Sequence, residues 1–181
     1  MNRSEIPFEK FSSQVFKSWG SEWFLLTAGR FKPGKFNTMT VAWGSFGIMW
    51  QKPFAMVVVR PGRHTHAFIE KFDTFTLCAF PPEYRKALNY CGTKSGRDVD
   101  KVKETGLTPI ASEKVEAPGF KEAELIIECQ KIYRDVFNPK NFIDASIEGN
   151  YPDKDYHSVY FGEILSINGV DKYIHEEKEE N

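Results

Sequence analysis

Six runs of this chain, at 22–30, 36–46, 54–60, 73–80, 122–134 and 157–169, have the length and residue make-up of strands, and Pro-Gly or Pro-Pro pairs punctuate several of them. So many strands, with few helical stretches and no regular strand-helix-strand alternation, predict an antiparallel barrel with helical insertions rather than a doubly wound parallel sheet. The 22–30 and 36–46 runs flank Phe31-Lys32-Pro33-Gly34-Lys35 and read as a hairpin. The 54–60 run follows Pro53 and is stopped by Pro61-Gly62, as befits a short buried strand. In 122–134, Leu125, Ile127 and Cys129 fall on one face and Glu124, Glu128 and Gln130 mostly on the other, the period of a half-buried strand.

Helical signals are shorter. Phe8, Phe11, Val15 and Phe16 recur at roughly helical spacing, so 7–19 reads as one packing helix closed by Gly20. Thr65 is placed to cap a helix over 66–72. Pro82 and Gly92 bracket a helix over 83–91, and Asp98 and Gly106 bracket another over 99–105.

The 181 residues, 41% of them hydrophobic, supply one core, so 1–175 reads as a single domain with a polar tail at 176–181. Lys plus Arg number 24 against 25 for Asp plus Glu, which lacks the basic excess expected of a nucleic-acid binder. The longest apolar run, 54–59, is far short of the roughly 20 residues that cross a bilayer. Pro and charge in the first seven residues do not suit a secretory signal, so the cytoplasm is the expected compartment. Cys78, Cys91 and Cys129 are odd in number and lack CxxC spacing, which suits reduced thiols; no metal site is expected.

Three segments carry chemistry. In the 37–47 stretch, a strand would put Thr38, Thr40, Ala42 and Gly44 on one small face. A flat ligand could then approach main-chain N–H and C=O groups, or another element could pack there. Arg60-Pro61-Gly62-Arg63-His64-Thr65-His66 combines two guanidinium groups, a hydroxyl and a helix start, the components of an anion pocket. Cys91-Gly92-Thr93-Lys94-Ser95-Gly96-Arg97-Asp98-Val99-Asp100-Lys101 brings hydroxyl, backbone N–H and ammonium toward one anion, without the spacing of a Walker loop.

In this order and spacing the three segments resemble the flavin reductase-like proteins of the FMN-binding split-barrel fold, especially the flavoredoxin-type branch, over roughly residues 15–170. The resemblance implies a mainly β, antiparallel Greek-key split barrel with helical insertions. It also implies bound FMN, NADH or NADPH as electron donor, and free flavin or a protein as acceptor. Asn37, Thr38, Met39, Thr40, Val41, Ala42 and Trp43 would lie along the isoalloxazine ring. Arg60, Pro61, Arg63 and Thr65 would take the phosphate from one side, with Ser95 and Lys101 on another. A homodimer with flavin near the subunit contact is implied as well, and Trp43 and Trp50 would serve either the ring pocket or that contact, or simply pack in the core. His157 occupies the place of a family Gly-Asp-His element, but follows Tyr156 here, so it is a candidate for the ring pocket or a structurally paired histidine. Cys91 is either redox-active beside the phosphate loop or a packed thiol. An FMN electron carrier without NAD(P)H activity and a barrel binding protein without flavin are the alternatives.

Overall fold

A computed structural model describes residues 2–175. The expected tail at 176–181 lies outside the described residues. Eight strands make one antiparallel sheet: β1 (Ser4–Glu5), β2 (Phe24–Gly29), β3 (Phe36–Val41), β4 (Gly44–Met49), β5 (Lys52–Val59), β6 (Thr74–Ala79), β9 (Leu125–Val136) and β10 (Ser158–Gly169). The order is β3-β2-β6-β9-β10-β5-β4, with β1 added on β10. Strands β7 (Pro109–Ile110) and β8 (Gly119–Phe120) form a separate small pair.

The inner face of the sheet encloses the larger of two buried apolar clusters. Ala28, Val41, Val57, Leu77, Ile127 and Tyr160, one from each of six strands, are buried together. A second apolar cluster lies on the outer face of β2, β6 and β9, where Leu25, Cys78 and Ile126 meet Ala87, Leu88 and Cys91. Burial on both faces explains why β2 and β6 read as nearly continuous apolar runs. The mainly β, antiparallel architecture with helical insertions is as expected from the sequence.

Among the described residues four helices decorate the barrel: α1 (Val15–Lys17), α2 (His64–Lys71), α3 (Arg85–Thr93) and α4 (Lys101–Thr105). The single helix expected over 7–19 does not form. A 3₁₀ turn covers Phe8–Lys10, and α1 runs into one π turn over Ser18–Glu22. The cause is tertiary: Phe11 is extended and bridges Ile174, and backbone bonds from Ser12 to Tyr173 and from His175 to Lys10 tie the segment after the 3₁₀ turn to residues 173–175. Phe16, 94% exposed, packs nothing.

The 36–46 run also breaks in two. β3 stops at Val41, and Gly44 opens β4, which pairs with β5. Ala42 and Gly44 therefore do not extend the β3 face. Helix α2 begins at His64, with Thr65 inside its first turn and no side chain capping it. Helix α3 is entered through Pro82 but continues past Gly92, where a Cβ would lie 3.2 Å from Thr40 Cβ. Gly92 thus permits close helix–strand contact and does not end the helix. Asp100, not Asp98, caps α4 by accepting from the Lys103 N–H at 3.1 Å, and Gly106 ends it at φ 69°.

The 122–134 alternation is real, but its polar side is not open to water. Glu128 is buried and accepts backbone N–H bonds from Glu113 at 3.0 Å and Lys114 at 2.6 Å, while Glu124 is held by Lys172 and Tyr173. Among the described residues no helix is long and apolar enough to cross a membrane.

Candidate functional site

The hairpin β2–β3, helix α2 and the loop leaving α3 converge on a cavity of about 120 Å³. Arg63, Thr65, Ser95 and Lys101 all line it, as do Lys94 and Arg97. Four cationic side chains and no carboxylate face this space. Among the described residues none of the four takes part in an ion pair. Clustered like charges of this kind are compensated by an anion, and a phosphate of about −1.5 to −2 charge matches the donor set.

The local chain builds the site from several directions. Asn37 on β3 donates its side-chain N–H to Thr65 Oγ1 at 2.7 Å. The Arg63 guanidinium donates to the Gly92 carbonyl at 3.0 Å, and Arg97 to that of Gly62 at 3.1 Å, so the two loops brace each other. Ser95 Oγ accepts the Arg97 N–H at 3.2 Å. Lys101 is buried, and its ammonium donates to the carbonyls of Thr38 at 2.8 Å and Cys91 at 2.7 Å. Burial, with Arg63 nearby, lowers the Lys101 pKa. An anion in the cavity would favour the charged form again. Lys101 is therefore both a cation of the pocket and a clasp between β3 and α3, more than the sequence suggested.

Beside this cavity lies a second of about 160 Å³, which shares Met39 and Arg63 with it. Thr40, Val41, Ala42, Trp43, Arg60 and His157 complete its wall with Val58. β3 ends the sheet order, so one of its backbone edges has no strand partner. The Thr38 carbonyl, taken by Lys101, marks that edge, and strand alternation puts the N–H and C=O of Thr40 on it too. The N–H and C=O of Thr40, on the edge without a strand partner, thus border the second cavity. The small side chains at Thr38 and Thr40 serve another purpose: they pack internally. Thr38 Oγ1 donates to the Leu26 carbonyl at 3.1 Å, and Thr40 Oγ1 to that of Leu88 at 2.5 Å. The packing alternative therefore holds for the side chains of β3, while its main-chain edge has no strand partner.

Arg60 lines the second cavity with Arg63 but does not reach the cationic one. Its guanidinium forks onto both Asp155 oxygens, at 2.8 and 3.0 Å, donates to the Asn150 carbonyl at 2.8 Å, and lies over the Tyr151 ring. It ties the 150–157 loop to the barrel. Pro61 lines neither cavity and shapes the turn in which the Arg63 N–H bonds the Arg60 carbonyl. Trp43, 48% exposed, sits with its ring 5.2 Å from that of His157, whereas Trp50 is on a different face, against Tyr133 and Phe161. The Cys91 thiol is buried and pushed up to about 11, as a packed thiol would be.

His157 is buried, and its Nδ1 is 2.9 Å from the Tyr151 hydroxyl. Burial first, then the Arg60 charge, pushes its pKa down to about 4. Burial keeps the imidazole neutral at physiological pH, and its Nδ1 shares one hydrogen bond with the Tyr151 hydroxyl. Neither Tyr151 nor Asp155 was singled out from sequence; the nearest signal was Asp155 two positions before His157. Because the folded-state pKa is below the ordinary 6.5, the unfolded chain takes up the proton first as pH falls. Stability contributed by neutral His157 is therefore full above 6.5 and lost as pH drops toward about 4. Imidazole NMR signals of His157 are expected to show no titration across the neutral range; a midpoint near 6.5 would contradict this environment.

Residues 17–179 match the family model described as "Flavin reductase like domain". The chain belongs to that family. An uncharacterized protein of Pyrococcus abyssi is 29% identical to this flavin reductase-like domain over 131 residues, covering 72% of the chain and 64% of the relative, so the chain spans less than two thirds of that protein. Among solved structures, the flavoredoxin of Desulfovibrio vulgaris (Miyazaki F) superposes with a TM-score of 0.66 at 23% identity, over 89% of this chain and 75% of its own. An FMN-binding domain of a flavin reductases-like enzyme from Shewanella baltica OS155 gives 0.66 at 18% identity, over 93% and 77%. The flavin reductase-like domain therefore has the fold of known FMN-binding split-barrel proteins.

Proposed function

We propose that this protein is an FMN-dependent oxidoreductase that passes reducing equivalents from NADH or NADPH to free flavin or a protein acceptor. The observation that carries the reading is the cavity with four cations and no carboxylate, set beside an unpaired strand edge. One end suits a phosphate, the other the polar edge of a flat ring. Arg63, Thr65, Ser95 and Lys101 would hold the phosphate, and the Thr40 peptide groups the ring's pyrimidine edge. Arg60 belongs to the scaffold of the ring cavity and not to the phosphate.

When bound, the flavin supplies the hydride and electron chemistry. The chain's own residues then need only bind, orient and shield. Met39 and Arg63, common to both cavities, set the distance between phosphate and ring ends. Trp43, half-exposed in the wall of the ring cavity, would shield the bound ring. His157, held by Tyr151, is a neutral imidazole, so any hydrogen bond it makes at the ring cavity requires no proton uptake.

A homodimer is part of the same proposal. Ile48, Met49, Trp50, Tyr133 and Val136 form exposed apolar surface at the β4–β5 turn and on β9. Trp50 and Gln51 both have positive φ, at 52° and 60°, where a hairpin turn ordinarily prefers Asn-Gly. Keeping a bulky aromatic there at the cost of strain suits a contact surface. The cytoplasm is the compartment we propose, since the three thiols are free and buried.

The test is a visible spectrum of the purified protein followed by rapid mixing with NADH and NADPH. A yellow two-chain species whose flavin bleaches quickly is the expected result. A coloured protein that neither nucleotide bleaches would reduce the reading to an electron carrier, and a colourless one that binds no added FMN would reject it.

A further inference from the structure

The two arginines in the wall of the ring cavity are not equivalent. Arg60 and Arg63 both line it, and among the described residues no carboxylate does. Arg63 has no acidic partner among the described residues, whereas both oxygens of Asp155 accept from the Arg60 guanidinium, at 2.8 and 3.0 Å. Asp155 is not itself part of the lining, so its negative charge is set back from the cavity while the positive charge it pairs with faces inward. The two side chains are only 28% and 29% exposed, and water screens their charges in part. His157, in the same wall, feels both: Arg60 lowers its pKa and Asp155 raises it.

From this arrangement we infer that Asp155 sets the reduction potential of a flavin in the ring cavity by offsetting the Arg60 charge that faces it. The inference rests on the flavin reading. Uptake of two electrons and one proton leaves a neutral flavin ring with one negative charge, shared between N1 and the O2 carbonyl. A cation in the cavity wall favours that reduced ring over the oxidised one, and a carboxylate paired with the cation takes back part of the preference. Asp155 therefore holds the potential below the value that two uncompensated arginines would give, which makes the reduced flavin a stronger donor to its acceptor. Tying down the 150–157 loop is a separate role, and the two can be told apart by charge. The Arg60 guanidinium is also held by the Asn150 carbonyl, at 2.8 Å, and by the Tyr151 ring. An asparagine at 155 keeps one acceptor beside it, so the negative charge can be removed with Arg60 left in place.

The test compares the dissociation constants of oxidised and reduced FMN, titrated anaerobically into the full chain and its variants. The FMN phosphate is common to both redox states, so the ratio of the two constants reads the ring alone. Asp155→Asn is expected to shift that ratio about tenfold toward reduced FMN, a rise of roughly 30 mV for a two-electron couple. Asp155→Glu keeps the charge and should keep the parental ratio. Asp153 is exposed on the same loop, and Asp153→Asn makes the same change in net charge but should move the ratio less than about twofold. Arg60→Gln removes the cation, leaves Asp155 unpaired and should shift the ratio the opposite way, which keeps the test decisive if Asp155→Asn does not fold. A lower thermal midpoint in Asp155→Asn with the ratio unmoved would overturn the inference and leave Asp155 a loop tie. So would an equal shift in Asp153→Asn, or an unmoved ratio in Arg60→Gln. A parent protein that binds FMN in neither redox state would instead reject the flavin reading, and this inference with it.

Discussion

Replacing Arg63 by alanine is expected to raise the FMN dissociation constant by about ten- to a hundredfold, the equivalent of one charge-assisted bond to phosphate. Its thermal midpoint should hardly move. Arg63 is exposed and outside both core clusters, and it is the cation that lines the ring and phosphate cavities alike. Its single hydrogen bond, to the Gly92 carbonyl, is at the surface, where loss costs little. Lys101→Ala is the informative contrast. That change also weakens FMN, but it strands the carbonyls of Thr38 and Cys91 in a buried place, which costs about 1 to 3 kcal/mol each unless water enters. Fluorescence titration beside calorimetry separates the two variants. An Arg63→Ala protein that binds FMN as well as the parent would remove the phosphate assignment.

The largest stability effect is expected from Gly162→Ala. At the β-bulge between Phe161 and Gly162, an added Cβ would meet the Phe75 ring at 2.5 and 2.6 Å and Cys129 Cβ at 2.8 Å. Phe75 and Cys129 are themselves fully buried, on strands β6 and β9 that run through the middle of the sheet. Neither can give way without moving a strand. Overpacking of this kind costs about 3 kcal/mol, which lowers the midpoint by roughly 6 to 12 °C for a chain of this size. Gly149→Ala is the control, since nothing lies within 4 Å of its would-be Cβ. Equal midpoints for the two variants would show that the barrel wall at Gly162 is softer than its packing implies.

Much of the strand content was legible because burial imposes a pattern on sequence. The 54–60, 73–80 and 157–169 runs are apolar or alternating, and each lies within a residue or two of its observed strand. Turn residues fixed the β2–β3 hairpin for the same local reason, with Pro33-Gly34 between the paired strands. The helices fared worse where distant partners intervened. Phe8, Phe11, Val15 and Phe16 have helical spacing, yet pairing of residues 10–12 with 173–175 outweighs it. Short helices have little intrinsic stability with which to resist.

The same division runs through the site. Residue types and order along the chain determined which groups are available: a Thr-bearing strand, an Arg-rich turn and a Lys-bearing loop, enough to point to a phosphate and a flat ring. Only the tertiary structure decided their partners. It spent Arg60 on Asp155, set Lys101 between two carbonyls, and placed Tyr151 on His157. The reason is that hydrogen bonds and ion pairs form between groups close in space, while a sequence records only separation along the chain, and those pairs are 95, 63, 10 and 6 residues apart.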